Sequence, residues 1–272
     1  MWLQYIAELN ERFNYSKYIE IEKILNNRGI NLYDIFSYEI VDIIESIGID
    51  KNIINLFKDK IIKENVSKIY DYLFENNMAF YTLEDYKSVL FKRNISVNIP
   101  FCIIYSDNID LNLKNVYLYY NDYFSKCANS TIKYISKIIN QNGGNAISLY
   151  NCENTIRIYN DEIEKIANNI NKEKMFERVI ILNKKYMAFF IMLFLDFLVI
   201  AEGKYEIELK QLVDLFMESG KEIYVVPSYI FNKNSYFSNY LIKQGSEIIL
   251  GANDVKLMLK DNSRWQYFLF II

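Results

Sequence analysis

The sequence predicts an α/β protein, with a Rossmann-like, mainly parallel sheet covered by helices and preceded by a small all-helical module. Three observations carry that expectation. Residues 220–246, GKEIYVVPSYIFNKNSYFSNYLIKQGS, place a helix-end glycine before a buried strand closed by Pro227, and then a glycine-terminated helix. Upstream, Val116–Tyr120, the helical run STIKYISKIINQ and Asn145–Tyr150 give strand, helix and strand in about 35 residues, as a parallel crossover requires. Residues 1–75 instead carry apolar positions at helical spacing, broken at Asn27-Arg28-Gly29 and Ile47-Gly48-Ile49-Asp50.

In chain order, the first 75 residues read as four or five short helices. The second break sets Gly48 between apolar neighbours and Asp50 where it caps the next helix, as in a helix-hairpin-helix turn. That turn has two readings, a minor-groove phosphate contact or an ordinary packing turn, and Lys51 is the only cation close by. Ile99–Tyr105 forms a β-branched lead-in strand and Val116–Tyr120 the first strand of the main sheet. Ile132, Ile135, Ile138 and Ile139 then mark one helix face ending at Gly143-Gly144, before the strand at Asn145–Tyr150.

A helix over 160–173 and a strand over 179–182 continue the alternation. Tyr186–Ala201 is the most apolar stretch, yet Asp196 interrupts it before about 18 apolar residues accumulate, so a buried helix running into a central strand is expected. The helix over 206–219 turns Leu209, Leu212, Val213 and Phe216 inward and stops at Gly220, ahead of the strand Ile223–Val226. The expected division is a helical module at 1–75 and a Rossmann-like domain with an extended lead-in at 76–272.

Composition narrows the chemistry. The 272 residues are 51% hydrophobic, enough for a sizeable core, and 31 basic against 34 acidic residues leave a net charge of −3. A nucleic-acid role must therefore rest on a local patch. Histidine is absent, which excludes histidine general bases, histidine-dependent triads and the common histidine-containing zinc sites. Cys102, Cys127 and Cys152 are widely spaced and without a C-x-x-C pair, as in reduced cytosolic proteins. The N-terminus has no secretory pattern, since charges enter by Glu8 and Glu11. The protein is expected to be cytoplasmic, non-catalytic and without metal or cofactor.

The spacing from Asp196 through Glu202 and Gly220 to Pro227, followed by Asn239 and Gly245, resembles the C-terminal pattern of the DprA/Smf DNA-processing family. That family has a G-R-x-V-x-A-V-P-G strand followed by G-x-N-x-L-I-x-x-G-A. Tyr119 to Gly143 matches the length of its first strand, loop and helix, Ser148 falls on the serine of its S-G-x-A-x-G-I-D turn, and Pro100 and Pro227 sit where it has prolines. The resemblance covers nearly the whole chain. It implies a Rossmann-like body that binds single-stranded DNA, assistance to a RecA-type recombinase, and a homodimer.

The family's ligand loops are altered here. Its G-S-R loop is Tyr120-Asn121-Asp122, its glycine-bearing turn is Ser148 to Thr155, its R-N-R signature falls near Met187-Ala188-Phe189, and its post-proline glycine is Ser228. The nucleic-acid-binding candidates are consequently Asn183, Lys184 and Lys185, a cationic cluster after a strand, and Asn239 at the family's asparagine position. Glu202 has two readings, a ligand contact at the crevice or a cap for the helix near Glu206. The alternative function is a scaffold for protein–protein interaction that no longer binds polynucleotide.

Overall fold

The computed structural model describes residues 23, 27, 29, 74–75, 77–82, 102–106, 108–120, 125–150, 152–159, 178–182 and 186–260. The expected helical module, the expected helix over 160–173 and the Asn183-Lys184-Lys185 cluster lie outside the described residues, apart from a few positions in the module. The chain divides into two units, one comprising 1–107 and 161–175, the other 108–160 and 176–272. In the first, strands β1 (Met78–Thr82) and β2 (Cys102–Ser106) pair antiparallel, in a register from Met78 opposite Ser106 to Thr82 opposite Cys102.

Among its described residues the second unit has seven strands: β3 (Lys114–Tyr119), β4 (Gly144–Ser148), β5 (Ile156–Tyr159), β6 (Val179–Ile181), β7 (Phe197–Ile200), β8 (Glu222–Val225) and β9 (Glu247–Ile248). They run parallel in the order β6-β5-β4-β3-β7-β8-β9. Its helices are α1 (Lys126–Gln141), α2 (Met187–Phe194), α3 (Ile207–Glu218), α4 (Tyr236–Lys243) and α5 (Ala252–Lys260). The expected parallel α/β sheet covered by helices is therefore present. Sequence reasoning missed β5, β9 and α5.

Alternation in the strands explains the two faces. Val116, Leu118 and Tyr120 point to the same side as Phe197, Val199 and Ala201, where Ile132, Ile135, Ile138 and Ile139 of α1 and Val255, Met258 and Leu259 of α5 complete one core. Tyr117 points the other way and meets Phe216 of α3 at a ring-centroid distance of 6.5 Å. Burying the four isoleucines of α1 contributes about 1.5–3 kcal/mol each before conformational entropy is subtracted.

Helix ends follow local chemistry. Ser125 is the N-cap of α1, its Oγ accepting from the Ala128 N–H at 3.1 Å, and Gly143 after the C-cap adopts φ +76°, where a β-carbon would be strained. The Lys221 ammonium donates to the Ile191 and Leu195 carbonyls at the C-terminal end of α2. Those carbonyls carry the negative end of the helix dipole.

Asp196, the charge that breaks the apolar run, joins β3 to β7 at the N-terminal end of the sheet. Its carboxylate accepts from the Asn115 N–H at 2.7 Å, while its own N–H donates to the Asn115 carbonyl at 2.8 Å. Alongside, the Asn145 amide donates to Asn115 Oδ1 at 2.9 Å and to the Asp110 carbonyl at 2.8 Å, and Arg178 donates to Asn145 Oδ1 at 2.9 Å. Burial holds the Arg178 pKa below its usual value. This polar layer is architectural and sits at the opposite end of the strands from the candidate site. No described helix is long and apolar enough to cross a membrane.

Candidate functional site

The strand order reverses at β3, because β4 lies on one side of it and β7 on the other. In open α/β sheets a ligand crevice opens at such a point, outside the C-terminal strand ends and near a helix N-terminus. Here the helix is α1, and Glu202 after β7 and Asn232 after β8 meet at its start.

A carboxylate of the chain itself occupies that start. Glu202, one residue beyond Ala201 at the end of β7, is 2% exposed. Its Oε2 accepts from the Ser125 N–H at 3.1 Å and its Oε1 accepts from the Asn232 side-chain amide at 3.1 Å. The structure thus brings Glu202 to the helix beginning at Lys126 and not to the one beginning at Ile207, where Glu206 is the N-cap residue and makes no side-chain capping bond. The negative group satisfies the positive end of α1 from inside the fold.

The end of β3 beside it carries aromatic bulk. Tyr120, where the resemblance places a small residue, is 2% exposed, and its ring packs on Tyr150 with centroids 5.1 Å apart. Burial pushes its phenol up to about 12, Cys152 adds to the rise, and a hydrogen bond with Ser148 and the charge of Arg157 oppose it. Ser148 is itself fully buried, and its hydroxyl accepts from the Tyr150 N–H at 3.2 Å. The serine at the resembling position therefore helps seat an internal tyrosine.

Beyond Pro227 the chain makes a braced turn. Asn239 on α4 grips it from one side: its Oδ1 accepts from the Ser228 N–H at 3.2 Å and its Nδ2 donates to the Ser228 carbonyl at 3.0 Å. Asn232 grips it from the other, its amide donating to Glu202 and, at 2.9 Å, to Ser235 Oγ, while its Oδ1 accepts from the Asn234 N–H. The Asn232 N–H closes the turn on the Tyr229 carbonyl at 2.9 Å. The carbonyl of Gly203 then accepts from the Phe237 and Ser238 N–H groups at the start of α4.

With its polar groups drawn inward, the turn presents apolar ones outward. Tyr229, Ile230 and Phe231 are 70%, 75% and 74% exposed, and Tyr236 follows at 68%. The Tyr229 and Phe231 rings meet edge-on at 5.3 Å. Sequence reasoning named Asn239 in this region and passed over the aromatic tip, although the absence of acidic residues from Ile223 to Ser246, with Lys233 and Lys243 between, was visible as a signal.

The fold recurs in solved structures. DNA processing protein A from Streptococcus pneumoniae is similar over 86% of this chain and 90% of its own, at 16% identity and a TM-score of 0.50. DNA processing protein A from Helicobacter pylori, whose structure is described as giving insight into a single-stranded DNA binding mode, is similar over 67% of this chain and 96% of its own, at 14% identity and a TM-score of 0.50. No protein-family model and no curated protein sequence matches the chain. At such identities the likeness is one of architecture: the chain has the fold of the DNA processing protein A structures.

Proposed function

We propose that this protein binds single-stranded DNA without catalysis, as a DNA-processing protein. One observation carries the reading: the chain shares its fold with two DNA processing protein A structures, one of them described for its binding of single-stranded DNA. Contact falls at the C-terminal face of the parallel sheet, where Lys184, Lys185 and Asn183 follow β6 in sequence and Asn239 holds the post-proline turn in shape. Assistance to a RecA-type recombinase and a homodimeric state belong to the same proposal, as does a cytoplasmic location.

Anisotropy of a labelled single-stranded oligonucleotide, titrated at low and moderate salt, tests it. Micromolar or tighter binding that weakens with salt is expected. No binding at low salt would sink the reading. A second reading, a scaffold for protein–protein interaction, is favoured by the chain's own groups standing at the C-terminal strand ends, where Glu202 bonds the helix start and Tyr120 packs on Tyr150.

A further inference from the structure

We propose that the single strand is held by base stacking on the aromatic tip formed by Tyr229, Phe231 and Tyr236, with Lys233 as its cation, and not in the switch-point crevice. This rests on the single-stranded DNA reading above and moves its contact from Asn183, Lys184 and Lys185 to this tip, whose backbone Asn239 braces. The crevice offers a polyanion an unfavourable start, because the α1 N-terminus already bonds the Glu202 carboxylate. A phosphate arriving there would meet a like charge.

The tip has the opposite character. Surface turns ordinarily turn polar side chains to water, whereas this one spends Asn232, Ser235 and Asn239 on internal hydrogen bonds and leaves three large apolar side chains outside. An exposed aromatic group on a fixed backbone offers a stacking surface with little ordering cost on binding. Tyrosine and phenylalanine faces accept any base, so such a site has little sequence preference. Charge favours a nucleic-acid strand as the occupant: from Ile223 to Ser246 the chain carries Lys233 and Lys243 and no acidic residue, and the one carboxylate bonded to the turn, Glu202 on Asn232, is 2% exposed and lies beneath it, so Lys233 is the charge the tip shows to solvent. Lys233 lies in the short 3₁₀ turn Lys233–Ser235, between Phe231 and Tyr236.

With one or two lysines in reach, few counterions are released. The logarithm of affinity against the logarithm of salt should then fall with a slope between about −0.7 and −1.4, far shallower than for a phosphate-lined channel. The experiment titrates labelled oligothymidylate against the full chain and against Tyr229→Ala/Phe231→Ala and Lys233→Glu, with circular dichroism melts to verify folding. These side chains are exposed, so folding should be retained. The expected result is a loss of about tenfold or more in the aromatic double variant and a flatter salt slope in Lys233→Glu.

Wild-type binding with unchanged affinity in the double variant would overturn the aromatic tip and leave the single-stranded DNA reading standing. No wild-type binding at low salt would overturn both. A wild-type slope steeper than about −3 would assign binding to a phosphate-contacting channel elsewhere. Unchanged DNA affinity together with altered sedimentation of the double variant would make the tip a self-association surface.

Discussion

Replacing Glu202 should reveal what holds the three loops at the sheet's C-terminal face together. The carboxylate is 2% exposed and accepts one hydrogen bond from the Ser125 N–H and one from the Asn232 amide, both at 3.1 Å. Hydrogen bonds to charged groups contribute about 1.5–3 kcal/mol each. These two are longer than the ~2.7–2.9 Å typical of charge-assisted bonds, which favours the lower figure. Glu202→Ala leaves the Ser125 N–H unsatisfied, takes from the Asn232 amide one acceptor while Ser235 Oγ remains, and opens a void, so a loss of about 3 kcal/mol is expected after the relief of carboxylate desolvation is counted. In Glu202→Gln one acceptor becomes a donor facing a donor, which halves the loss to about 1.5 kcal/mol.

Thermal unfolding followed by circular dichroism should place the midpoint of Glu202→Ala lower by about 6–12 °C and that of Glu202→Gln lower by about 3–6 °C. Urea denaturation should return the same order with an unchanged dependence on denaturant. A Glu202→Gln variant as stable as the wild type, or more stable, would refute the reasoning. It would mean that desolvating the carboxylate costs more than its two hydrogen bonds return.

Two further outcomes can be checked on the same instruments. In Gly144→Ala the new β-carbon would lie 2.9 Å from Ile139 Cγ2, 3.1 Å from Leu259 Cδ2 and 3.1 Å from the Lys114 carbonyl, and that carbonyl belongs to the paired strand β3. The side chains can shift but the strand cannot, so a loss of about 1–3 kcal/mol is expected in urea titrations, and wild-type stability would contradict the packing. The second concerns alkali. Burial, chiefly, favours neutral Tyr120 in the fold, raising its phenol from 10.0 to about 12. Its stabilisation is fully present below pH 10 and is lost as pH rises toward 12. Burial raises Tyr117 as well and adds to the decline. Tyr120→Phe removes one titrating group, so its stability should fall less steeply than wild type between pH 10 and 12; parallel curves would show that Tyr120 does not carry this dependence.

Much of the second unit was legible because its signals are local. The isoleucine spacing of α1, the glycines at 143, 220 and 245 and the proline at 227 each act within one turn of chain. Strand β5 escaped because Ile156–Tyr159 is four residues long and alternates with Arg157, which reads as the edge of a loop. It is positioned by the turn at Cys152–Thr155, where Asn154 adopts φ +64°. Asp196 was visible only as an interruption, since its partner Asn115 lies 81 residues away.

By itself, the sequence determined the α/β class, the helix and strand boundaries near glycine and proline, and the exclusion of histidine chemistry, because periodicity, turn residues and composition are properties of neighbouring residues. Only the tertiary structure decided what meets the start of α1 and what the post-proline turn exposes. Glu202 reaches Ser125 across 77 residues and Asn232 across 30. A carboxylate's role is set by the donors that folding brings to it, and no local pattern specifies those donors.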